Sequence, residues 1–554
     1  MVSVNVAEHL VRMAAAEPDR PAIHFPAGSL TFAQLNAESD AIARGLLTLG
    51  ITRGMRTALM VPPSPDFFAT TFALFKLGAV PVFIDPGMGI KNLGKCLGEA
   101  APEAFIGIPK AHMARRLFGW ARRSIRITVN AGRGRFYCDA SLNRLRNTPG
   151  QQDAGPAVQP DGMAAILFTS GSTGVAKGVV YTHGIFAAQI ELLKSTYGIA
   201  PGEIDYCTFP LFALFAPALG MTCVIPDMDA RRPARIDPHK AAAQIRRFGV
   251  TNLFGSPAVI RRLGELAESP PTAVGVLGFT TLRRVISAGA PASARDLERF
   301  MPLLPDRVQV FTPYGATEAL PVANIGSREV LGETRRFTEQ GKGVCIGRHV
   351  SGVIVQIIPI RDEAIPEWDE SLELARGEIG EFAVRGPIVT KEYFRRPEAT
   401  KLAKMLDPRT GEMLHRMGDV GYRDEQGRLW FCGRKSHRVN APWGTLFTDQ
   451  VEPVFNAVSG VFRSALVGVA RYGATHPVLC IEALPTRPWE ELLRDLHVAA
   501  SQYEHTRRIA TFLNYRGGFP VDVRHNSKIF REKLAAWADR TLGKAWRPQD
   551  NKRI

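Results

Sequence analysis

Apolar segments alternate with segments of helical periodicity over residues 57–315, and this alternation constrains the fold more than any other feature of the chain. Most of the apolar segments are separated by helix-like sequences such as 239–248 and 258–268. The apolar segments themselves lie at 57–64, 80–86, 164–170, 222–227, 252–257, 283–291 and 308–315. Continuous apolar strands that alternate with helices are typical of parallel sheets covered on both faces. We therefore predict an α/β fold whose ligands bind at the carboxyl ends of the strands.

The pattern becomes β-rich from about residue 344, which predicts a small β-barrel or meander. After Gly433 a new unit begins that contains apolar strands and two helices, at 489–501 and 529–542. A chain of 554 residues is too long for one core. We therefore predict a large N-terminal domain of residues 1–433 and a small α+β C-terminal domain of residues 434–554, with a hinge at the polar sequence GRKSHR.

The chain carries a formal net charge of +16. A positive balance suits polyphosphate and carboxylate substrates as well as nucleic acid or anionic membranes, so the charge does not decide the function. Because the basic residues are spread along the chain, we expect no nucleic-acid partner. The densest region, residues 114–135, is either a basic amphipathic surface that contacts anionic lipid or a partner, or a solvated surface. It holds Arg115, Arg116, Arg122, Arg123, Arg126, Arg133 and Arg135 around Leu117, Phe118, Trp120 and Ile125.

Cysteine usage and hydropathy predict a cytoplasmic protein. The seven cysteines are scattered without a C-x-x-C pair, which favours reduced thiols over a disulfide framework or a zinc site. Three acidic residues before position 20 stand where a signal peptide needs an apolar run. The uncharged segment 209–224 is short for a membrane span and contains Pro210 and Pro217, so we expect a buried helix or a pocket wall there.

The most specific local feature is the sequence ILFTSGSTGVAKGVVYTHG at residues 166–184. An apolar strand runs into a loop of glycines and hydroxyl residues, in which backbone N–H groups, hydroxyls and a lysine can hold an anion. The loop is not a Walker P-loop, because Ala176 precedes Lys177 and Gly178 follows it. We expect phosphate to be bound by Thr169, Ser170, Gly171, Ser172, Thr173, Gly174 and Lys177.

This stretch resembles the phosphate loop of the acyl-adenylate-forming superfamily, which includes acyl-CoA synthetases, peptide-synthetase adenylation domains and firefly luciferase. Six further motifs of that superfamily occur in the family's order along essentially the whole chain. They are FKLGAVPVFIDP (75–86), SAGAP (287–291), YGATE (314–318), GEIGEFAVRGPIVTKEYF (377–394), HRMGDVGYRDEQGRLWFCGR (415–434) and NSKI (526–529). The resemblance implies an enzyme that uses ATP and Mg²⁺ to convert a carboxylic acid into its acyl-adenylate.

The resemblance also implies a nucleotide site. The adenine would be bordered by Gly289, Ala290 and Pro291 and by the motif Tyr314, Gly315 and Ala316, with Tyr314 stacked on the base. Asp419 would accept hydrogen bonds from the ribose hydroxyls, and Arg434 would lie at the ribose and phosphates.

Three residues are implied to act on the reacting groups. Thr317 would contact the α-phosphate, and Glu318 would hold Mg²⁺, a hard cation for which a carboxylate is a suitable ligand. Lys528 would bridge the substrate carboxylate and the α-phosphate in the transition state. The mobile C-terminal domain would supply this lysine only when it is closed, and closure would also exclude water.

Some segments depart from the common superfamily pattern. Acyl-CoA synthetases usually carry a His after Pro-Leu-Phe in their aromatic motif, where this chain has Ala213. At the hinge, where the superfamily usually has Asp or Lys, this chain has Ser436. Where relatives have a Gly-rich loop after the hinge, this chain has RVNAPWGTLFTDQVEP at 438–453. These segments resemble the β-lactone synthetases of bacterial long-chain olefin biosynthesis. That resemblance implies a 2-alkyl-3-hydroxyalkanoic acid whose own hydroxyl closes a β-lactone after adenylation, and it allows an association with other enzymes of the pathway.

The remaining site predictions concern the acyl group. The apolar residues Phe209, Leu211, Phe212, Phe215 and Leu219 suit a wall for long alkyl chains. His183 either orients substrate or assists proton removal, or it has a structural role. Two rival functions are an ordinary long-chain acyl-CoA synthetase, distinguished by its dependence on CoA, and a non-catalytic lipid- or partner-binding protein.

Overall fold

A computed structural model describes residues 4–132, 137–149, 158–169, 176–209, 215–268, 278–521 and 529–548. Its strands are numbered along the chain. They are β1 (Pro21–Phe25), β2 (Gly28–Thr31), β3 (Arg56–Met60), β4 (Val80–Ile84), β5 (Ala104–Gly107), β6 (Ile127–Asn130), β7 (Ala140–Ser141), β8 (Met163–Thr169), β9 (Lys177–Thr182), β10 (Ile204–Cys207), β11 (Thr222–Val224), β12 (Asn252–Gly255), β13 (Arg284–Ser287), β14 (Val310–Ala316), β15 (Ala319–Gly326), β16 (Val344–His349), β17 (Ile354–Ile358), β18 (Gly380–Arg385), β19 (Lys404–Leu406), β20 (Met413–Arg423), β21 (Leu429–Arg434), β22 (Val439–Ala441), β23 (Gly444–Leu446), β24 (Val461–Arg471), β25 (Ala474–Ala483) and β26 (Phe512–Asn514).

The α-helices lie mostly between these strands. They span Ala7–Ala16, Phe32–Thr48, Pro65–Leu77, Ile90–Ala100, Pro109–Leu117, Leu142–Arg146, His183–Tyr197, Phe215–Ala218, Pro238–Arg247, Pro257–Gly264, Ala294–Phe300, Ser327–Glu329, Arg335–Glu339, Pro397–Ala403, Thr448–Asn456, Trp489–Ser501 and Arg531–Leu542.

The first sheet has the strand order β7-β6-β5-β3-β4-β8-β9 and is parallel except for its last pair. The second sheet is parallel from β1 and β11 through β10, β12 and β13 to β14. From β14 onwards the same sheet is antiparallel. Its strands follow in the order β14, β15, β16, β21, β20, β18 and β17. The predicted α/β class with parallel sheets and a β-rich segment is confirmed.

One buried apolar cluster joins the two sheets. It contains Leu59 of β3, Ile23 of β1 and Ile286 of β13, together with Phe72 of the helix Pro65–Leu77. That helix begins at the cap of Ser64, whose side chain accepts from the amide of Phe67, and all of its residues from Phe67 to Leu77 are buried. A helix that is buried all round needs apolar residues on every face, which explains the sequence FFATTFALFKL.

The strands β24, β25 and β26 form a separate small sheet with helices packed on both faces. Leu466 and Leu479 face Leu496 of the helix Trp489–Ser501. The alternate residues Val467 and Val478 pack on the other face, against the helix Arg531–Leu542. The strand period of two therefore gives this unit its two apolar faces.

Candidate active site

A cavity of about 1720 Å³ opens where the second sheet meets the C-terminal part of the chain. Its walls include Gly255 at the end of β12, Thr312 in β14, and Asp449 and Arg531 from the C-terminal segment. Pockets for one small molecule usually enclose about 300–1,000 Å³. The cavity is large enough to hold two substrates side by side.

The hairpin β14–β15 carries the predicted motif Tyr314 to Glu318 into the cavity. A Cβ atom at Gly315 would lie 2.7 Å from the carbonyl oxygen of Ala319. No side chain fits at that distance, so the tight hairpin requires glycine here. The turn thereby presents Thr317 and Glu318 to the cavity beside the tyrosine.

Asp419 is the centre of a buried polar group. The phenol of Tyr314 donates to its Oδ2 at 2.6 Å. The guanidinium of Arg434 forms an ion pair with Oδ1 of Asp419 at 2.7 Å. The geometry of this pair is not that of a hydrogen bond, and Oδ1 accepts no hydrogen bond from the described residues. Strands β20 and β21 align Asp419 and Arg434 as direct partners.

The ionisation of this group follows from its burial. Asp419 is 2% exposed, and burial raises its pKa, while Arg434 and the hydrogen bond from Tyr314 act in the opposite direction. The negative charge of Asp419 raises the pKa of Arg434. Burial and the same carboxylate raise the pKa of the Tyr314 phenol, which stays protonated as a donor.

Glu318 is held by the segment that follows β18. The phenol of Tyr393 donates to Glu318 Oε1 at 2.6 Å. The backbone N–H and the hydroxyl of Thr390 donate to the carbonyl oxygen of Glu318 at 2.9 and 3.1 Å. Lys177 lies over the ring of the same Tyr393, with its ammonium 4.7 Å from the ring centroid.

A second lysine supports the same segment from the interior. Lys404 is 3% exposed and donates from Nζ to the carbonyl and the hydroxyl oxygen of Thr390. Burial lowers its pKa to about 7, although the charge of Glu318 acts to raise it. The neighbouring His415, which lines the cavity, has its pKa lowered by burial and by Lys404.

The predicted adenine-side loop also lines the cavity, directly after β13. It consists of Gly289, Ala290 and Pro291, and Gly289 has φ +97°, a conformation that favours glycine. The loop and Tyr314 therefore border the same space.

One part of the wall is apolar, and we call it the apolar arm. It consists of Val6, Phe72, Phe75, Phe186, Phe209 and Phe215. Two of the predicted acyl-pocket residues, Phe209 and Phe215, are in it. Leu219 is 5% exposed and packs in the core rather than on the lining, whereas Leu211 and Phe212 lie outside the described residues.

His183 begins the helix that carries Phe186. It is 1% exposed, its ring packs edge-on against Phe75 at 6.4 Å, and its Nδ1 has no hydrogen-bond partner among the described residues. Burial, with a contribution from Arg53, lowers its pKa to about 4. At neutral pH the imidazole is therefore neutral and lies behind the apolar arm.

Several predicted residues lie outside the described residues. These are Ser170, Gly171, Ser172, Thr173 and Gly174 of the phosphate loop, and Lys528. The flanking positions are described: Thr169 and Lys177 pair across β8 and β9. Ile529, which follows Lys528, lines the cavity.

Two tyrosines at the site were not assigned from the sequence. Tyr393 bonds Glu318, and Tyr181 donates from its hydroxyl to the carbonyl oxygen of Thr317 at 2.5 Å. Both occur inside segments that carry the family resemblance, 377–394 and 166–184, and that position is the signal that was available.

Residues 10–394 match the AMP-binding enzyme family. The chain belongs to that family. It is 49% identical over 554 aligned residues to an olefin beta-lactone synthetase of Xanthomonas campestris pv. campestris, covering 96% of this chain and 97% of the relative. It is also 49% identical to an olefin beta-lactone synthetase of Stenotrophomonas maltophilia, with 98% of this chain and 99% of the relative covered.

The fold is also found among solved structures. The amide bond synthetase McbA from Marinactinospora thermotolerans aligns with a TM-score of 0.76 and 22% identity over 96% of this chain and 99% of its own. Among the helices that the structure describes, none is long and apolar enough to cross a membrane.

Proposed function

We propose that the chain is an ATP-dependent β-lactone synthetase that adenylates a long-chain 2-alkyl-3-hydroxyalkanoic acid and cyclises it, in long-chain olefin biosynthesis. The observation that carries the proposal is the 49% identity, over nearly the full length of both chains, to two olefin beta-lactone synthetases. A cavity in which a polar group and an apolar arm share one space agrees with a reaction between a nucleotide and a long-chain acid.

The nucleotide roles are proposed on the contacts around Asp419. Its buried Oδ1 accepts no hydrogen bond from the described residues, and a ribose hydroxyl would satisfy it. Tyr314, fixed by its bond to Asp419, would stack on the adenine beside Gly289, Ala290 and Pro291. Lys177 and the loop from Thr169 to Gly174 would hold the phosphates, with Arg434 near the ribose.

Glu318 would hold Mg²⁺. Within the described part of the chain there is no cluster of three or more His, Cys, Asp or Glu that suits a metal. A single protein carboxylate nevertheless fits Mg²⁺, which usually takes one or two carboxylates and completes its shell with water and substrate phosphates. The Tyr393 hydroxyl, which donates to Oε1, orients the carboxylate. Bound Mg²⁺ would screen the negative charge of the phosphates.

Lys528 would bring positive charge to the reacting carboxylate and the α-phosphate. Its neighbour Ile529 and Arg531 line the cavity, which supports a position for Lys528 at the same site. We propose that residues 434–554 move as a domain relative to residues 1–433 and withdraw this lysine after adenylation.

The reaction has two steps. A substrate carboxylate oxygen attacks the α-phosphorus, and the bond to pyrophosphate breaks. The β-hydroxyl oxygen then attacks the activated carbonyl carbon, AMP leaves, and the hydroxyl proton passes to the AMP phosphate. The intramolecular nucleophile needs only to be oriented, and orientation supplies much of the rate gain. His183 does not line the cavity, so its neutral imidazole would act on the substrate only through Phe75 of the apolar arm, against which it packs.

The proposal also covers the localisation and the partners of the protein. We place the enzyme in the cytoplasm, in association with other enzymes of the pathway. The arginine-rich stretch exposes Leu117 and Phe118, which are 75% and 49% exposed, beside the exposed Arg122 and Arg123, and Met113 directly before it is 59% exposed. This surface would make the peripheral contact, with anionic lipid or with a partner enzyme.

The test is a reaction of the purified protein with ATP, Mg²⁺ and a synthetic long-chain 2-alkyl-3-hydroxy acid, with and without CoA. NMR at ambient temperature identifies the product, because heating can remove carbon dioxide from a β-lactone. We expect a lactone and AMP without CoA. A thioester that forms only with CoA would assign the chain to the long-chain acyl-CoA synthetases, and no turnover of ATP would favour a non-catalytic binding protein.

A further inference from the structure

We propose that Val6 forms the end wall of the apolar arm and sets the length of the alkyl chain that the site accepts. The inference rests on the proposed function in one respect, namely that the arm holds an alkyl chain of the acid.

A series of contacts gives the arm its direction. It starts at the reaction centre, where the Tyr181 hydroxyl bonds the carbonyl oxygen of Thr317. The ring of Tyr181 lies 4.9 Å from that of Phe186, which lies 5.9 Å from that of Phe75. These residues all line the cavity, so the arm runs from Thr317 past Phe186 to Phe75.

The N-terminal segment closes the series beyond Phe75. The side-chain amide of Asn5 donates to the carbonyl oxygen of Phe75 at 2.7 Å, and Val6 follows directly on the cavity wall. Phe215, whose ring lies 6.0 Å from that of Phe186, flanks the arm from the short helix Phe215–Ala218, which contacts the helix Ala7–Ala16. The segment that carries Val6 is thus attached at Phe75, the end of the series opposite to Thr317.

Hydrogen bonds and burial hold this wall in place. Asn5 is 8% exposed, and its Oδ1 also accepts from the amide of Ala7 at 3.0 Å, so one side chain holds the segment at two points. Val6 is 6% exposed, and Leu10, one turn further on, is fully buried. A close-packed wall of this kind resists an extra methylene group rather than yielding to it.

The size of the residue at position 6 then decides where the chain must stop. Val6→Ala would deepen the arm, and Val6→Phe would shorten it. Leu10→Ala is the matched control, because it removes a buried apolar side chain from the helix that follows Val6, and Leu10 does not line the cavity.

The experiment uses the full-length enzyme with ATP, Mg²⁺ and mixtures of saturated carboxylic acids that differ in length. Hydroxylamine traps the adenylates as hydroxamates, and mass spectrometry gives their ratios. This competition compares kcat/KM values inside one sample, so a loss of folded enzyme cancels. We expect Val6→Ala to move the preference to longer acids and Val6→Phe to shorter ones, with ratios changing about tenfold per methylene. Val6→Leu replaces Val6→Phe if the latter does not fold.

The inference would be overturned if neither Val6→Ala nor the larger substitution at position 6 changed the preferred acid length. A shift of the same size in Leu10→Ala would also overturn it. The hydroxamate assay does not depend on lactone formation. A shifted profile without any lactone product would therefore uphold the role of Val6 while refuting the proposed function.

Discussion

The Tyr314 phenol donates a 2.6 Å hydrogen bond to the carboxylate of Asp419, 105 residues further along the chain. The bond joins β14 of the parallel region to β20 of the antiparallel region, at the floor of the cavity. It fixes the ring of Tyr314 and leaves Oδ1 of Asp419 for another donor. Base stacking and ribose recognition would therefore depend on one contact.

Asp419→Asn should weaken ATP binding. Hydrogen bonds to a charged group contribute about 1.5–3 kcal/mol, so the Kd for ATP should rise roughly 10- to 150-fold. Calorimetric titration with ATP measures this. Asp306→Asn, at an exposed position, is the matched control. Equal affinities of the two variants would exclude Asp419 as the ribose ligand.

Glu318→Gln should raise the Mg²⁺ concentration needed for half-maximal pyrophosphate release by at least about tenfold, because a neutral amide is a weak ligand for a hard cation. The measurement is a Mg²⁺ titration at saturating ATP. Glu392→Gln changes an exposed carboxylate beside Tyr393 and should leave the titration unaltered. A normal Mg²⁺ dependence in Glu318→Gln would refute the metal role.

Tyr393→Phe removes only the hydroxyl that bonds Glu318 Oε1. Loss of a group that orients a metal ligand typically costs 10- to 100-fold in metal affinity or activity. We expect the same Mg²⁺ titration to shift in that range, with the Kd for ATP measured without Mg²⁺ unchanged. A Tyr393→Phe variant that titrates like the parent enzyme would show that the hydroxyl does not position Glu318.

Much of the fold was predictable from the sequence, because its elements have clear periodicity. The helix Trp489–Ser501 has the predicted bounds, and the segment 80–86 contains β4. Some strands were predicted too long. The segment 283–291 was expected to be a strand, but β13 ends at Ser287, because the glycine and the proline that follow lie in the loop that lines the cavity.

The sequence names residues that line the cavity, but it does not give the contacts between them. Ordered motifs named Tyr314, Asp419 and Glu318, yet the bond between Glu318 and Tyr393 spans 75 residues and follows only from the pairing of distant strands. The role of the N-terminal segment had no motif at all. Val6 is one apolar residue among many until the fold places it beside Phe75.

Lys528→Ala should slow adenylate formation by about 10²- to 10³-fold, as expected when a charge that stabilises the transition state is removed. The affinity for ATP should remain, because the groups around Asp419 are intact. Pyrophosphate release in single turnovers and ATP titration separate the two effects. Lys544→Ala, at an exposed position, is the control. Unchanged pyrophosphate release in Lys528→Ala would refute the assigned role.

Lys404 should make the stability of the protein rise with pH above neutrality. Burial lowers the pKa of this amine to about 7 from its ordinary value of 10.5. Between about pH 7 and pH 10 the unfolded chain therefore holds a proton that the folded chain has released. Over this pH range the free energy of unfolding increases by up to about 1.4 kcal/mol per pH unit. The stability gained in this way is lost again as the pH falls to the folded-state pKa of about 7.

Lys404→Met removes that titration while keeping an apolar stem of similar length. We expect urea unfolding at pH 7 and pH 9 to show a smaller gain in stability with pH for Lys404→Met than for the parent protein. Lys401→Met, at an exposed position three residues earlier, is the matched control and should keep the parent's gain. An equal gain in all three proteins would mean that Lys404 is not the titrating group. The variant also leaves the carbonyl oxygen of Thr390 without the neutral amine that donates to it above pH 7, so its stability at pH 9 should fall below that of the parent by about 1–3 kcal/mol.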